Sequence, residues 1–210
     1  MSLGQLLAIG ISVLLGVNYV AGMVMNRRKS MALFHWLREG TQRVLGPVSE
    51  ARWIGSASSG ARLIVAQARS PFRRVEMIYL MATRELLPLF WLQRLRNRRD
   101  ELIFKALLRT PPGMEWELVH PSDGRTQRRL EAEGFCAGPD IEGWRLFHKG
   151  ELSPERREQI QQMAQRLGST LRGFSLRREQ PHLIVRLALP ADLSASAEAL
   201  FQALAEGLRL

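Results

Sequence analysis

A single cysteine, Cys136, in 210 residues rules out any disulfide within the chain and points to a reducing compartment. Flanked by Phe135 and Ala137, it reads as a small core residue rather than a reactive thiol. Lysine is almost missing: Lys29, Lys105 and Lys149 are the only lysines among 30 basic residues, so arginine carries the net charge of +10. Such a bias follows genome composition as readily as selection for phosphate, which makes the excess charge more informative than its identity. No ionisable side chain falls between Leu3 and Met25, so the whole excess sits on the rest of the chain. That remainder suits anionic lipid or ribosomal RNA. No feature points to DNA.

The marks of catalysis are absent too. His35, His120, His148 and His182 are scattered, and none has a second ligand at metal-site spacing. There is no nucleophile elbow, no P-loop and no dinucleotide fingerprint. The small-residue stretch Gly55–Gly60 reads as a hairpin turn. Glu76, Glu85, Asp100, Glu115 and Glu117 fall where strands and helix ends turn them to solvent or to arginine, so nothing selects an acid and base pair. Neither enzymatic activity nor a cofactor or metal is expected. No repeat and no low-complexity stretch is found.

What is there begins with LGQLLAIGISVLLGVNYVAGMVM, Leu3 to Met25, 23 residues without charge. About 20 such residues suffice to cross a bilayer as a helix. A cleaved leader would start with a basic region and carry a shorter apolar stretch, and this one does neither. Asn26-Arg27-Arg28-Lys29 follows, and positive charge beside a span marks the cytoplasmic side. The expectation is a single-pass protein with its N-terminus outside and its body cytoplasmic. Within the span, Ser12 and Gly16 form a small-xxx-small pair, joined by Asn18 and Tyr19, which suits contact with a small membrane-protein partner. Asn18 and Tyr19 equally suit an interfacial belt.

Beyond the span the pattern divides into an anchor at 1–26, a basic linker helix at 27–47 ended by Gly46-Pro47, and a cytoplasmic domain at 48–210. Extended runs are expected at 50–57, 61–68, 73–82, 100–108, 114–119, 144–148, 170–178 and 182–189. Helices are expected at 84–96, with Pro88 in its first turn, at 122–133, from Ser153-Pro154 to Leu167, and at 194–207. This order predicts an α+β fold: an N-terminal transmembrane helix, then a mostly antiparallel sheet with helices packed on one side. Arg94, Arg96, Arg98 and Arg99 cluster in RLRNRR, and with Arg27, Arg28 and Lys29 they are candidate contacts for phosphate or lipid headgroups. Further pairs stand at Arg73-Arg74 and Arg177-Arg178. Such runs also serve as solvated faces or complement a helix dipole.

Several short motifs resemble calumin, the coiled-coil-domain-containing subunit of the PAT complex of the endoplasmic-reticulum multipass translocon. They are Val17-Asn18-Tyr19-Val20-Ala21-Gly22, Asn26-Arg27, Ala32-Leu33-Phe34-His35, Arg84-Glu85-Leu86-Leu87 and Asp100-Glu101-Leu102-Ile103. The strand and helix from Trp116 to Leu130, and the closing strand and helix from His182 to Leu208, follow in a similar order. The resemblance implies a shortened, prokaryotic relative with a cytoplasmic domain docked near a translocon and ribosome and no catalytic residues. The family's acidic segment ahead of the span and its basic coiled coil have no counterpart here, so calcium binding is not implied. The alternative is a membrane-tethered scaffold whose basic domain binds anionic lipid or another protein.

Overall fold

The helix of the uncharged run does not end where the charge begins. In the computed structural model, which describes residues 2–82, 84, 100–190, 192–193 and 196–208, one unbroken helix, α1, runs from Leu3 to Val44. At 42 residues it is about 63 Å long. Ser2 caps it by accepting from the Gln5 amide, and the Gln5 side chain accepts from the Ser2 amide in return. Gly46, at φ 119°, ends it ahead of Pro47. Gly22, Asn26, Ser30, Leu33, Leu37, Gly40 and Thr41 are its buried residues, one stripe at steps of mainly three and four.

The stripe lies on a nine-stranded sheet of β1 (Glu50–Trp53), β2 (Gly60–Val65), β3 (Phe72–Leu80), β4 (Glu101–Leu108), β5 (Glu115–Val119), β6 (Cys136–Ile141), β7 (Trp144–Lys149), β8 (Leu171–Leu176) and β9 (Leu183–Ala188). The order is β1-β2-β3-β4-β9-β8-β5-β7-β6, and every neighbouring pair is antiparallel. Strict alternation sets the faces. In β4, for example, Leu102, Phe104, Ala106 and Leu108 are buried while the residues between them are partly exposed. Gly60 is required where it stands, at φ 149°, because a Cβ there would lie 2.1 Å from the Tyr79 carbonyl oxygen.

Helices α2 (Gly124–Ala132), α3 (Pro154–Leu167) and α4 (Ala197–Glu206), with a short 3-10 turn at Gly168–Thr170, complete the described elements. The expected α+β class, with an apolar N-terminal helix ahead of an antiparallel sheet, is what the structure has. Helices α1, α3 and α4 cover one face: Leu33 and Leu37, Ile160 and Met163, and Phe201 and Leu204 share a core with Leu118 and Leu146. The short α2 is the exception to packing on one side. Its Leu130 packs with Val119 and Phe147, which follow Leu118 and Leu146 in their strands and so point to the opposite face. The segment β5-α2-β6-β7-α3-β8, in spatial order β8-β5-β7-β6, has the strand order of a split β-α-β unit.

Two sequence expectations are corrected. Strand β6 is absent from the expected runs, because Gly138 and Pro139 lie inside it and interrupt the pattern. It is an edge strand, paired only with β7 among the described strands, and the turn joining them uses positive φ at Glu142 and Gly143. Its place also reverses the reading of Cys136, which is exposed rather than core, since an edge strand here has little packed over it. Of the helix expected at 84–96, all but Arg84 lies outside the described residues.

Candidate functional site

Where α1 leaves its uncharged stretch, it meets the end of the sheet. Asn26 is 1% exposed, one residue beyond Met25. Its side-chain amide donates to the Ala82 carbonyl at 3.1 Å, and its carbonyl oxygen accepts from Arg84 Nη1 at 2.5 Å. Arg84 Nη2 then reaches both oxygens of Asp100, at 3.1 and 2.8 Å. Lys29 Nζ donates to Asp100 Oδ2 at 2.6 Å, and the Ala82 amide donates to Oδ1 at 2.8 Å. Asp100 is 4% exposed. Burial pushes its carboxyl pKa up, but the bonds from Arg84, Lys29 and Ala82 together outweigh that and hold it below the ordinary carboxylate range.

One turn further along α1, Tyr79 in β3 donates its hydroxyl to the Ser30 carbonyl at 2.9 Å, and the Ser30 hydroxyl lies 2.9 Å from the same phenol oxygen. Burial pushes the Tyr79 phenol up to about 12, with the Ser30 bond acting the other way. The phenol therefore stays neutral and serves as a donor. At the far end Thr41 donates to the Met77 sulfur at 3.6 Å, Gly40 abuts Ala197 of α4, and Arg43 pairs with Glu198. Arg69 reaches back to the carbonyls of Arg43 and Leu45. The helix is thus fastened to the sheet along its whole second half, through polar bonds at the exit and apolar contacts beyond it.

The foreseen residues divide between these regions. Ser12 donates to the Ala8 carbonyl of its own helix at 2.8 Å, and a Cβ placed on Gly16 would meet nothing within 4 Å. Asn18 is half-buried and Tyr19 exposed. Arg27 and Arg28 are exposed and make no ion pair among the described residues, whereas Lys29 is committed to Asp100. Arg94, Arg96, Arg98 and Arg99 lie outside the described residues. Reading the sequence found the cations but missed Asn26, Ser30, Tyr79, Arg84 and Asp100 as a unit. The visible signal was that Asn26, Ser30, Leu33 and Leu37 keep helical spacing, which marks the two polar residues as facing whatever the two leucines face.

On the opposite face a groove of about 470 Å³ runs beside α2, lined by Glu117, Arg129, Arg172, Ser175, Arg177 and Arg186 among others. Glu117, 5% exposed, accepts from Ser175 Oγ at 2.9 Å and Arg177 Nε at 2.7 Å. Arg177 also pairs with Glu133 at 2.8 Å. Both bonds to Glu117 fall on Oε1, while its Oε2 lies 3.7 Å from Arg129 Nη2. Among the described residues no group of three or more His, Cys, Asp and Glu could hold a metal ion.

Helix α1 is also the one helix among the described residues long and apolar enough to cross a membrane. Its best window has mean hydropathy 2.0 and is 6% buried. Comparison with protein-family models and with curated proteins finds no match.

Proposed function

We propose that this chain is a non-enzymatic, membrane-anchored factor, similar to calumin, that assists membrane-protein insertion or folding near the ribosome and translocon. The observation that carries the reading is that span and domain share one helix. Cleavage after the apolar stretch would sever that helix at Asn26, a residue buried in the domain, so retention of the anchor accords better with the packing than removal does. Asn26 and Asp100, from two of the motifs named above, are joined through Arg84 of a third. Exposed Arg27 and Arg28 at the exit favour a cytoplasmic domain and an outside N-terminus.

A display role follows from mechanics. A helix continuous through the bilayer surface transmits the orientation of the span to the sheet, so a domain fastened to it has one height and one face toward whatever lies on the membrane. No chemistry is required of it. The second reading, a scaffold that grips anionic lipid, is favoured by exposed Arg27 and Arg28, which make no ion pair among the described residues. Cross-linking of the intact protein in native membranes, followed by salt titration, separates the two. Recovery of ribosomal or translocase components, lost as salt rises, is expected. Recovery of neither, with binding to anionic vesicles intact, would replace the first reading with the second. The intact chain is needed because truncation at residue 30 removes Asn26, Lys29 and Ser30 from a buried network.

A further inference from the structure

Outside the span, the exposed large hydrophobic residues among the described ones are Met31, Trp53 and Leu80, and all three lie toward the same end of the domain. Met31 is five residues past Asn26 on α1. Trp53 packs on Phe34, with ring centroids 5.1 Å apart. Leu80 ends β3, two residues before Ala82, whose carbonyl Asn26 holds at 3.1 Å. The Met81 amide donates to the Ser59 carbonyl at 2.9 Å, which brings the β1–β2 turn to the same edge. The other end of the sheet differs. There Arg69 bonds to Leu45, about 28 Å further along the helix axis, and Ala66, Gln67, Arg69 and Ser70 are exposed.

From this placement we infer that the edge formed by Ser59, Leu80 and Met81 is a second membrane contact, seated among lipid headgroups beside the exit of α1. The inference rests on the reading that α1 spans. Leu3 to Met25 covers about 34 Å as a helix, against a hydrocarbon core of about 30 Å, and modest tilt absorbs the difference. The headgroup layer on each side is about 5–7 Å deep. Ala82 is held at the level of Asn26, the first residue past the span, and Met81 and Ser59 lie within a residue or two of it. With a straight helix the edge therefore falls inside that layer, and α1 is fastened to the sheet at this level and in the turn beyond it. Partly exposed Leu80 suits an interface that takes apolar side chains, and exposed Arg27 and Arg28, which make no ion pair among the described residues, suit its phosphates.

The test uses the intact chain with Cys136→Ala, reconstituted in phosphatidylethanolamine/phosphatidylglycerol vesicles. An environment-sensitive fluorophore is placed on Leu80→Cys, or on Ser59→Cys where the first disturbs folding, and on Gln67→Cys as the distal reference. Lipid carrying a headgroup spin label should quench the edge positions severalfold more than residue 67. Equal quenching at all positions, in protein that still resists alkaline carbonate, overturns the edge contact and leaves the span standing. Release of the protein by carbonate overturns both.

Discussion

The two halves of α1 differ in what surrounds them and hardly at all in backbone. From Leu3 to Ala21 its large apolar side chains are exposed, Leu3 at 79% and Leu14 at 67%. From Gly22 to Val44 the same helix buries Asn26, Ser30 and Thr41 at 1% or less. The usual order is inverted, with apolar groups out and polar groups in. The inversion is physical: exposed leucine is costly in water and costless in lipid, while a buried amide or hydroxyl is tolerated once its bonds are made. Among the described residues no buried side-chain nitrogen or oxygen lacks a hydrogen bond. Exposure along one helix therefore changes between Ala21 and Asn26, as the proposal that its first half lies in lipid requires.

That contrast can be broken most severely at Leu37, which is fully buried. Leu37→Ala should cost the domain about 2–5 kcal/mol, whereas Leu14→Ala in the span should leave the thermal midpoint of the domain unchanged. Matching losses in a thermal unfolding series would mean that the first half also packs on the domain. A smaller effect is expected at glycine. Gly40→Ala places a methyl 2.5 Å from the Ala197 Cβ and should destabilise by about 1–3 kcal/mol, despite the gain in helix propensity. Gly16→Ala meets nothing within 4 Å and should be neutral in the same assay.

The most specific effect concerns Asp100. Its folded pKa lies below the unfolded value, so its contribution is complete above about pH 3.9 and is lost as pH falls through the folded value. Asp100→Asn should lower stability by about 1–3 kcal/mol near neutral pH and flatten the acid limb of the stability curve. Unfolding curves for the two proteins that stay parallel down to about pH 2 would show that the carboxylate is not what fastens the helix.

Much of the sheet could be read in advance because its signals are local. Strands β2 to β5 and β7 to β9 show alternation or apolar runs bounded by turn residues, and Ser153-Pro154 marks the start of α3 by cap and first-turn proline. Strand β6 escaped because Gly138 and Pro139 weaken the local signal and only pairing with β7 makes it a strand. The carboxylates Asp100 and Glu117 were expected to face solvent or arginine. They do face arginine, but from buried positions, which depends on residues far off in the chain.

By itself the amino-acid sequence determined the uncharged stretch from Leu3 to Met25, the basic residues that follow it and the order of most strands and helices, since each depends on neighbours a few positions apart. Only the tertiary structure decided that Lys29 is bound to Asp100 rather than free for lipid, that Asn26 holds Ala82, and that β9 joins β4 to β8. Those partners are 71 and 56 residues apart for the two side-chain bonds, and no periodicity reaches so far. They come together because the apolar faces of α1 and the sheet must be buried against each other, and that packing fixes which polar groups are left to meet.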